Sequence, residues 1–252
     1  MPTAFDVISE DFLSDLEAIS DLVSLVANGG GSSKSRVASI NSATLLLAAT
    51  FEEFVRETGR QYAREVVCRT ASVVDLPRRL TATAWKRALE NMARARIDTG
   101  GTATPLLHIA TDARSEFEAI CKFLEGDISQ NIYKHIAHNE NNMRPDQINA
   151  IFKVSDLNNI FSKISDNDIV KVYLDELDST KANLKLRIAL NDFMDKRNDI
   201  AHNLNPGSSV SAEQLLYDVN LLRAVALAMA MCLPDHLPPA NDPDPEIGIS
   251  YS

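Results

Sequence analysis

Apolar residues recur at helical spacing along almost the whole chain, and runs that alternate apolar with polar residues are nearly absent. A period of three to four residues places apolar side chains on one helix face, which each segment buries against its neighbours. In the first segment the apolar stripe consists of Phe5, Phe12, Leu16, Ile19, Val23 and Val26. The pattern predicts an all-α fold, and 252 residues are enough to bury a sizeable core.

Capping residues, glycines and prolines predict where the helices begin and end. They indicate helices over about 6–27, 37–74, 78–97, 104–124, 145–153, 166–177 and 180–202, and a last helix after Ser211. Five prolines follow residue 233, and their spacing excludes a regular helix there. We therefore predict one all-α domain at 1–233, with an N-terminal helical extension at 1–28, and an irregular proline-rich tail at 234–252.

The net charge of −10 is distributed unevenly along the chain. Residues 1–28 contain six acidic and no basic residues, whereas residues 34–96 contain twelve basic and six acidic ones. Electrostatic repulsion of nucleic acid is therefore confined to the acidic parts of the chain. The basic region 34–96 could still bind RNA. The acidic start does not resemble a secretory signal, and the apolar run 224–233 is shorter than a bilayer span. We expect a cytoplasmic protein with no membrane partner.

The cysteines and histidines do not form a recognisable metal site. Cys68, Cys121 and Cys232 are isolated, odd in number and without the paired spacing of a zinc cluster. His135, His138 and Glu140 could hold a metal in principle, but two imidazoles three residues apart in a polar segment are more often uncommitted. We predict neither a metal nor a cofactor.

One short string carries most of the chemistry. Arg197-Asn198-Asp199-Ile200-Ala201-His202, followed by Asn203, sets a guanidinium, an amide and an imidazole near the end of a long helix. A guanidinium can donate to two phosphate oxygens, and an imidazole can exchange a proton near neutral pH. The string predicts phosphodiester cleavage by Arg197, Asn198 and His202. Asp195 and Asp199 would orient the imidazole or pair with the guanidinium, unless they form only local salt bridges, and Asn203 is a further supporting candidate.

Helix geometry constrains how this string can form an active site. At about 100° per residue, Asn198 and His202 share a helix face, whereas Arg197 and His202 point roughly 140° apart. Two arrangements can bring the guanidinium and the imidazole together. Either the helix breaks at His202, or a second subunit completes the site across a two-fold axis.

The Arg-polar-His string at the end of an amphipathic helix resembles the signature of the HEPN superfamily of all-α proteins. The apolar helix through Leu45, Leu46, Leu47, Phe51 and Phe54 fits the same pattern. The segment from Asn142 to Ile148 also resembles one in a free-standing branch of HEPN-like nucleases associated with restriction and defence loci. The resemblance implies a HEPN-like helical bundle with extra helices.

The same resemblance implies an activity. It indicates a homodimeric, metal-independent endoribonuclease in which Arg197 and His202 from two subunits line one cleft. The RNA 2′-OH would attack the adjacent phosphate and leave a 2′,3′-cyclic end. A role as a toxin or defence nuclease would add an antitoxin or another defence-system protein as a partner. The alternative is a non-catalytic helical module that binds RNA, a nucleotide or a protein. DNA cleavage would require a set of metal ligands that the sequence does not contain.

A second, weaker candidate site lies in the basic region. Arg56, Arg60 and Arg64 follow one another at four-residue spacing, so they share a helix face that could contact an RNA backbone. Glu52, Glu53 and Glu57 are interleaved with them, and such pairs are usual on a solvated helix surface. Both interpretations stay open.

Overall fold

The computed structural model describes residues 2–29, 31–94, 111–130, 136, 142–202 and 210–240, and within these ranges it contains helices and no strand. The helices are α1 (Ala4–Asn28), α2 (Ser33–Cys68), α3 (Arg78–Arg94), α4 (Thr111–Leu124), α5 (Pro145–Lys153), α6 (Ile160–Ser165), α7 (Asp168–Tyr173), α8 (Ser179–His202) and α9 (Ala212–Cys232). Short 3₁₀ turns occupy Val73–Asp75 and Pro234–His236. The predicted all-α class is confirmed.

Helices α1 and α2 form an antiparallel pair through aromatic contacts. The rings of Phe12 and Phe54 stack with centroids 4.5 Å apart, and those of Phe5 and Tyr62 lie 6.4 Å apart. The partner number in α2 rises as the number in α1 falls, so the helices run in opposite directions. Five of the six residues in the stripe predicted from sequence are buried in α1, and the sixth, Val26, is partly buried. The segment 1–28, predicted as an extension, thus packs against α2 and also against α9.

Helix α9 lies at the centre of the bundle and contacts α1, α2, α6 and α7. It has the length and the mean hydropathy, 1.6, of a helix that could cross a bilayer, yet 61% of its most apolar stretch is buried inside the protein. Burial on several sides requires apolar residues around the whole helix, and this accounts for its composition without a membrane.

Helix α8 packs one side against α2, α5, α6 and α7. Its buried side chains recur every three to four residues and comprise Ala182, Leu186, Leu190, Phe193 and Met194. The opposite side is exposed and includes Leu184, Ile188, Asp195, Asp199 and His202. The helix runs without interruption to His202, the last residue described before position 210.

A partly buried ion pair joins α8 to α9. The Nζ atom of Lys196 lies 3.3 Å from both carboxylate oxygens of Asp218, and Gln214 Nε2 donates to one of them at 3.1 Å. Burial raises the pKa of the Asp218 carboxyl above its ordinary value, although Lys196 and Gln214 act in the opposite direction. The desolvation of this carboxylate therefore outweighs the attraction of its partners.

The segment 234–240, from the region predicted as an irregular tail, is bonded to α2. Tyr62 Oη donates to the carbonyl of His236 at 2.7 Å, and the Arg69 guanidinium donates to the carbonyl of Pro238 at 3.2 Å. Burial raises the pKa of the Tyr62 hydroxyl to about 12, so it stays a donor throughout the physiological range. Residues 241–252 lie outside the described part of the chain, and the predicted domain limits stay a prediction.

The packing of α8 predicts a large difference between two leucines on the same helix. Leu186 is fully buried, whereas Leu184 is 59% exposed. Leu186→Ala should lower the free energy of unfolding by about 2–5 kcal/mol because it opens a cavity in the core. Leu184→Ala, the matched control, should change it by less than about 0.5 kcal/mol. Urea unfolding followed by circular dichroism measures both values, and equal losses would contradict the assigned orientation of α8.

The raised pKa of Asp218 predicts an unusual pH dependence. The folded state binds this proton more tightly than the unfolded state, so the contribution of Asp218 to the free energy of unfolding falls as pH rises from 3.8 through the folded-state pKa. Asp218→Asn removes this titration. The stability of the wild type relative to Asp218→Asn should therefore fall as pH is raised from about 3 to 7 in urea unfolding experiments. If the relative stability rises with pH, the ion pair with Lys196 has a larger effect on the pKa of Asp218 than burial has.

Candidate active site

Helix α8 presents the predicted catalytic residues at its C-terminal end. Arg197 and Asn198 are half-buried, and His202, the last residue of the helix, is exposed. Because α8 stays helical through His202, the break that would bring the imidazole back towards Arg197 does not occur. The two side chains leave the helix roughly 140° apart, as an uninterrupted helix requires.

Arg197 is anchored by two carboxamides. One of its terminal nitrogens, Nη1, donates to Asn142 Oδ1 at 2.9 Å and to Asn198 Oδ1 at 3.1 Å. The Nδ2 atom of Asn142 in turn donates to Asn198 Oδ1 at 2.6 Å. The other nitrogens of the guanidinium, Nε and Nη2, make no hydrogen bond with any described residue. With respect to the described residues, these two nitrogens are free to donate to an anionic ligand.

A carboxylate from α2 lies behind the guanidinium. Glu52 Oε1 is 3.9 Å from Arg197 Nη2, while Glu52 Oε2 accepts from Arg56 at 3.1 Å. The Glu52 side chain is only 12% exposed, and its Oε1 is buried without a hydrogen-bond partner among the described residues. At 3.9 Å the contact is too long for a hydrogen bond, so Glu52 supplies negative charge without fixing the direction of the guanidinium.

The residues that follow Asn142 continue along α8 towards its N-terminus. Arg144 donates to Asp195 at 2.5 Å and to Asn191 at 3.5 Å, and Asp146 pairs with Arg187. The segment 142–146 is thus bonded to α8 over several turns. Asp195, predicted to orient the imidazole or pair with Arg197, is paired with Arg144 in this structure.

Comparison with known proteins identifies the family. The sequence model of RiboL-PSP-HEPN matches residues 10–233. The chain belongs to the RiboL-PSP-HEPN family. The match spans the helical bundle, the segment 142–146 and the Arg197–His202 string. The HEPN domain is helical and generally has an RNase fold, so membership indicates an RNA-related, nuclease-type function. No curated protein and no solved structure shows significant similarity to the chain.

The other positions predicted for this site or for a metal in this RiboL-PSP-HEPN chain are either exposed or outside the described part of the chain. Asp199 is exposed and forms no ion pair within the described ranges. Asn203 lies outside those ranges, as do His135, His138 and Glu140. Among the residues that are described, no group of three His, Cys, Asp or Glu side chains could share a metal ion.

The basic row on α2 is divided between paired and unpaired arginines. Arg56 binds Glu52 and Glu53, and Arg60 binds Glu53 and Glu57, as expected of a solvated helix surface. Arg64 is exposed and has no ion-pair partner in the part of the chain that is described. The predicted RNA contact by these residues stays a prediction.

Sequence reasoning assigned no role to Asn142 and treated Glu52 as a surface residue. Glu52 did carry a recognisable pattern, because it lies one turn from Ala48 and from Val55, both buried on the apolar face of α2. A charged residue at such a position requires a partner. Asn142 carried no comparable pattern, since its bonds to α8 span 55 and 56 residues of sequence.

Proposed function

We propose that the chain is a metal-independent endoribonuclease that acts as a homodimer with a composite site. The observation that carries the proposal is the state of Arg197. Its guanidinium is held in place from one side and keeps N–H donors that no described residue uses, one and a half helical turns from an exposed imidazole on the same helix. Family membership supports RNA as the substrate. A cytoplasmic toxin or defence role, with an antitoxin or similar partner, is part of the same proposal.

In the proposed reaction the 2′-oxygen of a ribose forms a bond to the adjacent phosphorus as the bond to the 5′-oxygen breaks. His202 moves the proton from the 2′-hydroxyl to the leaving 5′-oxygen, which yields a 2′,3′-cyclic phosphate and a 5′-hydroxyl. Arg197 stabilises the additional negative charge that the phosphorane develops. Asn198 Nδ2, which has no partner among the described residues, would donate to a phosphate oxygen.

The shape of α8 is the argument for two subunits. Five residues along an unbroken helix separate Arg197 from His202 by about 7.5 Å along the axis and rotate them by about 140°. One phosphate cannot readily contact both side chains of one helix in that arrangement. An isologous interface near His202 would place the imidazole of one subunit opposite the guanidinium of the other.

Removal of either side chain should abolish RNA cleavage with little change in fold. We expect a loss of about 10²–10⁴-fold for His202→Ala, which removes the proton carrier. The loss for Arg197→Ala should be about 10²–10³-fold, as for other donors to a developing oxyanion. Gel analysis of a structured RNA pool incubated in EDTA measures both. Leu184→Ala, on the same exposed face of α8, is the control. Wild-type protein that binds RNA without cleaving it would favour the binding-module alternative.

Mixing the two inactive variants should restore part of the activity. A heterodimer of Arg197→Ala and His202→Ala subunits retains one composite site with an intact guanidinium and an intact imidazole. With random pairing of equal amounts, about half of the dimers are heterodimers with one working site each, so about a quarter of the wild-type rate should return. The test is RNA cleavage after co-refolding. No recovery, or a monomer by light scattering, would contradict the composite site.

A further inference from the structure

The backbone at Asn142 is held in place without help from its side chain. The Arg144 N–H donates to the Asn142 carbonyl at 2.8 Å and closes a tight turn around Met143. The Met143 side chain is fully buried. Pro145 then begins α5, and a residue before proline is confined to extended conformations, as the Arg144 ψ of 162° shows. The Asn142 carboxamide therefore projects from a fixed point.

The hydrogen bonds of this carboxamide leave one consistent arrangement. A guanidinium can only donate, so Arg197 Nη1 must face the oxygens of both Asn142 and Asn198. The nitrogen of Asn142 must then donate to the oxygen of Asn198. If either amide were turned over, its NH₂ group would face the N–H of Arg197, and two donors would oppose each other. The three side chains thus form a closed ring of hydrogen bonds.

The ring determines which groups point away from it. With its oxygen accepting from both Arg197 and Asn142, Asn198 has its Nδ2 outside the ring, and this nitrogen makes no hydrogen bond with any described residue. The Nε and Nη2 atoms of Arg197 are likewise outside the ring, and Nη2 lies 3.9 Å from the buried Oε1 of Glu52, too far for a hydrogen bond. These are three nitrogen donors on adjacent residues of α8, and a phosphate group has the acceptor oxygens to bind them.

We propose that Asn142 is a positioning residue, which orients Arg197 and Asn198 for a phosphodiester group without contacting the substrate itself. The proposal rests on the proposed function and adds a residue to its site from outside α8. A guanidinium fixed before binding loses less conformational freedom when the phosphate arrives. Loss of the carboxamide should therefore weaken phosphate binding mainly through Arg197, to which Asn142 is bonded directly.

A double-mutant cycle tests this dependence. The probe is a fluorescent, single-stranded RNA pool with 2′-O-methyl groups throughout, which cannot be cleaved because no 2′-hydroxyl is available to attack. Fluorescence anisotropy gives Kd for wild type, Asn142→Ala, Arg197→Ala and the double variant. We expect Asn142→Ala to weaken binding about tenfold in the wild type. In the Arg197→Ala background its effect should be much smaller, since only Asn198 is left for Asn142 to orient.

Arg144→Ala provides the matched control. Arg144 belongs to the same segment and bonds to α8, but it contacts Asn191 and Asp195 and not Arg197. It should leave Kd within about twofold. Thermal unfolding checks each variant, and Asn142→Ser, whose shorter side chain cannot reach Arg197, repeats the test should Asn142→Ala fold poorly.

The outcomes separate the two proposals. The positioning role would be overturned if Asn142→Ala weakened RNA binding equally in both backgrounds or in neither. It would also be overturned if Arg144→Ala weakened binding as much as Asn142→Ala does. Single-turnover cleavage of unmodified RNA by the same variants tests the nuclease. The expected coupling in Kd with no cleavage by the wild type would support the positioning of Arg197 and remove the proposed activity. Cleavage of RNA by the wild type without that coupling would support the proposed activity and overturn the positioning role of Asn142.

Discussion

The unbroken helical period of α8 is the constraint on which the core and the candidate site both depend. The rotation that turns Leu186, Leu190 and Phe193 into the bundle also turns Arg197 towards α2 and leaves His202 in solvent. A shift of one residue in this helix would expose its buried leucines as it moved the guanidinium. The positions of Arg197 and His202 are thus determined by core packing, and the angle between them cannot change while α8 remains helical.

Polar groups at the edge of the core impose the second constraint, because each needs a partner when water is excluded. On one side of α8, the Arg197 guanidinium donates a hydrogen bond to Asn142 and lies 3.9 Å from the carboxylate of Glu52. Near the same end of the helix, Lys196 meets the buried carboxylate of Asp218 on α9. The last turns of α8 are therefore held by polar contacts with α2, α9 and the segment 142–146. This accounts for a guanidinium that is half-buried while two of its nitrogens make no hydrogen bond with any described residue.

Local patterns in the sequence predicted the helical class and several boundaries. Pro145 and the residues after it predicted α5 at about 145–153, and the structure has Pro145–Lys153. The amphipathic repeat and polar break predicted an end of α8 near His202. The same patterns did not show that Asp195 pairs with Arg144 or that Glu52 lies beside Arg197. These contacts join residues far apart in the chain, and no local preference encodes them.

The sequence by itself determined the all-α class, the start of α5 and the set of side chains that could act on a phosphodiester, because helical periodicity, proline and side-chain chemistry are local properties. Only the tertiary structure decided which of these groups meet. It placed Asn142 and Glu52 around Arg197, paired Asp195 with Arg144 and left His202 exposed. The physical reason is that burial and hydrogen bonding between distant segments depend on how the helices pack, and packing is a property of the whole chain.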